Sequence, residues 1–236
     1  MCEEKRTPPS ADRVAARALV IACVSCRGFI EQESEDPRAE EFRQRVVAWV
    51  EDLGIADEFE PWEKEVLATP LGCAADRQTT VNAAWMGESL GIFSWALRVA
   101  DLPRYDEAPL PAEVANSLGF LCQRQETVLA DPSLRSLGDR QRFADFMFAV
   151  HWRVMQFHLC HEPMDFVDTA NTVWFGPLET RGMEFSQKDL AFRGKPISSL
   201  DSDTFRAFMS MTMERHRAAN WLVGSADVYS ETGTDT

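Results

Sequence analysis

Two segments of this chain read as long helices whose apolar faces are interrupted by polar side chains, and each interruption must be answered elsewhere in the fold. The first spans about residues 76–100. At about 100° per residue, Val81, Trp85, Ile92, Phe93, Trp95, Ala96 and Leu97 form a broad apolar arc, and Glu88 falls inside it. Gly87 and Gly91, one turn apart on the opposite side, suggest close approach of another backbone. The second runs from Asp201 to Val223. Phe205, Phe208, Met209, Thr212, Ala219 and Val223 define its buried face, with His216 at the centre, Asn220 one turn further and Arg215 at the edge. An unpaired buried polar group costs a few kcal/mol, on the order of 1–3 by mutational measure. The economical expectation is that Glu88 meets His216, Asn220 or Arg215 across a helix–helix contact. Such a cluster reads first as a lock that fixes the register of two helices, and second as a general acid–base pair. No nucleophile motif or phosphate loop accompanies it in the sequence.

The remaining pattern is helical too. Ser10 precedes an apolar run from Val14 to Ile30 that is rich in small residues, which predicts a capped helix packed closely by its neighbours. Further helices are expected from Pro37 to Gly54, over Pro61–Ala68, from Pro111 to about Gln123, from Asp139 to Cys160 and within 165–175. The only strand signal is Asp189 to Ile197, alternating on one side of a Gly194-Lys195 turn. The chain is therefore expected to be mainly α, a compact multi-helix domain over residues 10–224 with one small β-hairpin before the C-terminal helix. Residues 1–9 are expected to be disordered, and the Ser-, Thr- and Asp-rich residues 225–236 to be a loose acidic tail.

Composition narrows the partners. The net charge is −14, and thirteen acids between Glu31 and Glu65 face only Arg38, Arg43, Arg45 and Lys64, so that segment alone carries −9. Phosphate backbones need the opposite sign, which argues against nucleic acid as a partner. The acids read as a solvated face or as a docking surface for a basic protein. No run of about 18 apolar residues is present, so no membrane partner is expected, and the charged, Pro-rich start does not read as a secretory signal. Six scattered cysteines suit reduced cytosolic thiols, and Cys23-x-x-Cys26 lies too deep in its helix for a redox pair. No cofactor motif is present. His151, His158 and His161 lie within eleven residues, and the i, i+3 pair His158 and His161 is a possible metal grip. There is no His-Glu-x-x-His, so satisfied core histidines are the plainer reading.

The pattern Trp85-x-x-Glu88-x-Leu90-x-x-Phe93-x-Trp95-Ala96-Leu97, followed by Glu214-Arg215-His216-Arg217-Ala218-Ala219-Asn220-Trp221-Leu222, resembles an uncharacterised bacterial family, domain-of-unknown-function family 4272. Arg17-Ala18-Leu19, the Leu190–Ile197 hairpin and the closing Thr234-Asp235-Thr236 fit as well. Where members often carry a Trp-Asp pair after the last helix, this chain has Asp227-Val228-Tyr229. The resemblance implies a helical cytoplasmic protein, brings no activity, and marks Glu88, Arg215, His216 and Asn220 as signature positions. Two functions follow as expectations. One is an accessory or immunity-type interaction module that presents its acidic surface to a basic protein. The other is an enzyme, a hydrolase for instance, that uses Glu88 and His216.

Overall fold

The computed structural model describes residues 7–73 and 76–236, and the chain divides into two compact units. One comprises residues 10–102 and 109–134; the other comprises 7–9, 103–108 and 135–236. The expected disorder at the N-terminus lies outside the described residues for positions 1–6.

The first unit is built around α1 (Ala11–Ile30). The Ser10 hydroxyl caps it by accepting from the Arg13 amide at 3.3 Å, and Leu19, Ile21, Cys23 and Val24 are wholly buried. A helix apolar on most sides has to be surrounded. Against it pack α2 (Pro37–Leu53), α3 (Pro61–Ala68), α4 (Arg77–Trp85) and α5 (Gly87–Ala96). Asp36 caps α2, which ends at Gly54 with φ +66°, a left-handed conformation that glycine adopts without strain. At the head of α3 the Glu63 carboxylate accepts the Glu60 amide at 2.8 Å, closing a capping box.

The single helix expected over 76–100 is two. Asp76 caps α4, and the chain tightens at Met86, where the Ser89 amide reaches back only three residues to the Met86 carbonyl. Gly87, a weak helix former, sits at that break. Gly87 does not meet another backbone: a Cβ there would touch the Phe29 ring, whereas Gly28 of α1 lies flush against the α4 backbone. The helix α6 (Pro111–Ser117) is shorter than expected, because Gly119 turns at φ +79° and the Phe120 amide returns to the Ala115 carbonyl.

The second unit centres on α7 (Leu137–Cys160) and α9 (Ser202–Leu222), an antiparallel pair. Phe157 packs edge-on against Phe205 at 5.1 Å near one end, and Arg140 Nη1 donates to the Leu222 carbonyl at 2.6 Å near the other. Ser136 and Asp201 cap the two helices. Between them run α8 (Phe166–Thr172) and a three-stranded antiparallel sheet, one strand more than the expected hairpin. Its strands β1 (Phe185–Ser186), β2 (Asp189–Phe192) and β3 (Lys195–Pro196) follow in order, with Phe185 opposite Leu190 and Ala191 opposite Pro196. The mainly helical fold with a small antiparallel sheet before the last helix is thus as the sequence predicts. Residues 225–236 are not loose. Trp221 packs edge-on against Tyr229 at 5.9 Å, and Thr232 is only 4% exposed. Among the described residues no helix is long and apolar enough to cross a membrane.

Gly28 supplies the fold's sharpest steric test. A methyl group there would lie 2.8 Å from the Thr80 carbonyl oxygen and 2.9 Å from the Ala83 carbonyl carbon. Gly28→Ala, a change that raises helix propensity, should nevertheless destabilise the protein by about 1–3 kcal/mol in denaturant unfolding.

Candidate functional site

Within its own unit, the polar cluster on α9 gains a partner that the spacing on α9 does not announce, His151 of α7. His216 and His151 of α7 face each other Nδ1 to Nδ1 at 3.0 Å, and Asn220, one turn along α9, places Nδ2 3.0 Å from His216 Nε2. The same Nδ2 donates to the Gly233 carbonyl at 2.9 Å. A carbonyl oxygen accepts only, which fixes the orientation of the Asn220 amide. His216 Nε2 must then accept and its Nδ1 carry the proton, so His151 Nδ1 accepts in turn. This leaves the Nε2–H of His151 for the main chain of Thr234, with which this ring hydrogen-bonds. The result is a one-way chain from Asn220 through His216 and His151 into residues 233–234.

Both rings are neutral. His151 and His216 are 3% and 1% exposed, and burial is the main force lowering their pKa values, to about 4 and about 3. The positive charge of Arg217 adds to the effect at His151, and His151 adds to it at His216. Neither nitrogen of His216 is left open toward a substrate, which general-base work would need.

The remaining candidate residues lie each within its own unit. Arg215, 1% exposed, points away from His216 and donates to the carbonyls of Arg104 at 2.7 Å and Glu107 at 2.6 Å, clasping the 103–108 loop. Glu88 is half-buried in the first turn of α5, in the other unit. His158 and His161 sit at the exposed end of α7 with their rings 6.3 Å apart, and His161 ends the helix in the left-handed region. His151 is engaged two turns back. Among the described residues no group of three His, Cys, Asp or Glu side chains is arranged to hold a metal.

A second feature has no counterpart in the sequence reading. The unit built on α1 contains an open cleft of about 520 Å³, walled by α1, α2, α5, α6 and the turn after α6. Phe29, Phe42, Leu90, Ala112 and Phe120 represent its lining, which carries no charged side chain. The Cys26 thiol belongs to this wall, and burial pushes its pKa up to about 11, so it too is neutral. The size and character suit an apolar guest. Helical periodicity cannot announce such a cleft, because a groove-lining Phe and a core Phe obey the same spacing.

The acidic segment divides into two populations. Six of its thirteen acids serve the fold. Asp36, Glu60 and Glu63 cap helices, Glu31 and Glu40 hold Arg27 and Arg43, and Glu58 pairs with Arg13. Burial raises the pKa values of Glu58 and Glu63, with Arg17 opposing it. The exposed remainder comprises Glu33, Glu35 and Glu41 before and on the first turns of α2, Glu51 and Asp52 at its end, and Asp57 and Glu65.

A model of the family described as "Domain of unknown function (DUF4272)" matches residues 2–173. No curated protein and no solved structure matches the chain. The matched span takes in Glu88 and His151 and ends before α9, so Arg215, His216 and Asn220 lie beyond it.

The neutral histidine pair makes stability depend on pH. Both folded-state values lie below the ordinary imidazole value of 6.5, so the unfolded chain binds protons first. Their contribution is complete above pH 6.5 and is lost as the pH falls toward about 4 for His151 and about 3 for His216, by up to about 1.4 kcal/mol per pH unit for each ring. Denaturant unfolding at pH 7.5, 6 and 5 should show this decline. A variant carrying His151→Gln and His216→Gln should show a flatter profile between pH 6.5 and 5.

Proposed function

The chain belongs to the DUF4272 family, whose description assigns no activity, and on geometry we propose that it is a binding module that takes the apolar face of a basic amphipathic helix from a partner protein. The observation that carries this reading is the cleft of about 520 Å³, lined mainly by apolar side chains and open, on a unit that holds 20 acidic against 10 basic residues, a net charge of −10. An amphipathic helix docks by laying spaced apolar anchors into such a groove, while its charged face remains at the rim. Glu41 neighbours Phe42 on α2, and Glu113 lies on α6 beside Ala112, so exposed carboxylates stand next to lining residues on two of the walls. Complementary charge speeds encounter and disfavours acidic competitors more than it adds affinity. A cytoplasmic accessory or immunity-type role is consistent with this chemistry. The hydrolase reading has less to stand on, because the His216 ring is already fully engaged.

An 18-residue leucine–lysine model helix, labelled for fluorescence anisotropy, tests the proposal. It should bind at low salt and weaken as salt rises. Ala112→Lys places a cation at the cleft wall, and should weaken binding at least tenfold without changing the helical circular dichroism. Neutralising Glu33, Glu35 and Glu41 to glutamine should slow association while retaining much of the affinity. Binding that is indifferent to Ala112→Lys would sink the proposal.

A further inference from the structure

The hydrogen-bond chain of the second unit ends on main chain. Asn220 Nδ2 gives its proton to the Gly233 carbonyl, and the next residue, Thr234, is held through its own main chain by His151. Gly233 has no side chain, so the grip reads backbone carbonyls on successive residues. These two donors come from two different helices, and their polarity is set by the two imidazoles between them. The preceding stretch is anchored separately: the Trp221 indole donates to the Asp227 carbonyl at 3.4 Å, and Tyr229 packs against that ring. Gly233 is exposed, and the bed beneath this stretch extends beyond it. Phe148 packs edge-on against His216 at 5.9 Å, Phe175 against Phe148 at 6.0 Å, and Trp174, 94% exposed, against Phe175 at 5.5 Å. An exposed aromatic ledge beside side-chain donors aimed at backbone carbonyls is the composition of a peptide-binding site.

We infer that His151, His216 and Asn220 form a binding site for extended peptide main chain, and that residues 233–234 of this chain occupy it in cis. The strap is exchangeable: when it is removed, a peptide of the same sequence enters in trans, and the ledge at Phe148, Phe175 and Trp174 accommodates an apolar neighbour on a longer ligand. This site is independent of the apolar cleft, and neither proposal depends on the other.

A variant ending at Ser230, titrated into a labelled peptide of residues 230–236, tests the inference by fluorescence anisotropy. The shortened protein should bind the peptide, and full-length protein should bind it at least tenfold more weakly, because its own strap fills the site. Asn220→Asp in the shortened protein replaces the amide donor with an acceptor and should weaken binding at least tenfold. A folded shortened protein that fails to bind, or that binds equally well with Asn220→Asp, overturns the inference. If shortening abolishes the helical circular dichroism, the full-length chain decides. Carboxypeptidase should then trim residues 231–236 at least tenfold faster from the folded Asn220→Asp variant than from the parent, and equal rates overturn it.

Discussion

Buried arginine holding helix-end carbonyls is the interaction on which both units rest. A helix leaves its last four carbonyls without intrahelical partners, and here guanidinium groups from distant sequence positions reach several of them. Arg43 of α2 donates to Leu67 at 2.7 Å and Ala68 at 3.2 Å, the last residues of α3. Arg124, itself exposed, does the same for Leu53 at the end of α2, and the buried Arg140 for Leu222 at the end of α9. Arg27 of α1 takes the next two carbonyls along, Thr69 and Pro70. A cation at a helix C-terminus also meets the favourable end of the macrodipole. Guanidinium suits the task because it offers five donors in a fixed fork and keeps its charge when buried. Loss of one such group strands carbonyls as well as its own ion-pair partner, a combination that costs about 3–5 kcal/mol where the pair is buried.

The same arrangement explains why the acidic segment is less of a surface than its charge suggests. Each buried arginine needs counter-charge, and the segment supplies it: Glu63 and Glu58 beside Arg17, Glu31 beside Arg27, Glu40 beside Arg43. Glu40 works twice, since its carboxylate also accepts the Leu71 amide and so secures the turn after α3. Carboxylates used this way are unavailable to a partner. Sequence alone treats thirteen acids as one patch because it cannot tell which helices will present an arginine to them. The seven exposed acids are what remains at the surface, and one of them, Glu41, directly precedes the cleft-lining Phe42.

Local chemistry made the helices legible. Ser10, Asp36, Asp76, Ser136 and Asp201 cap the helices that follow them, and Gly54 and Gly224 turn with positive φ where a left-handed residue is needed. The break at Met86 was not legible, because apolar residues at helical spacing continue on both sides of it, from Val81 to Leu97. The site was half legible for a related reason. An i, i+4 relation on one helix is written in spacing, and His216 and Asn220 are indeed bonded. The identity of the residue across the helix pair depends on which helices pack and at what register. His151 belongs by sequence to the histidine run at 151–161, yet the antiparallel fit of α7 and α9 hands it to His216.

Composition misjudged residues 225–236 for a reason that the histidine chain makes plain. Ser, Thr, Asp and Gly are poor at burying side-chain area, and a segment made of them is expected to stay loose when side chains alone are weighed. Every residue also carries a carbonyl, and a buried donor with nothing else to meet will hold one firmly. The donors here are directional. Gly233 orients the Asn220 amide, that amide sets the tautomer of His216, and His216 sets that of His151. Protonating either ring places a second proton in a link that already has one. The chain then breaks at one of its bonds, and the main chain of Gly233 and Thr234 lies at its far ends. Within a segment otherwise anchored by Tyr229 against Trp221, residues 233–234 are thus held by donors whose polarity two neutral imidazoles set.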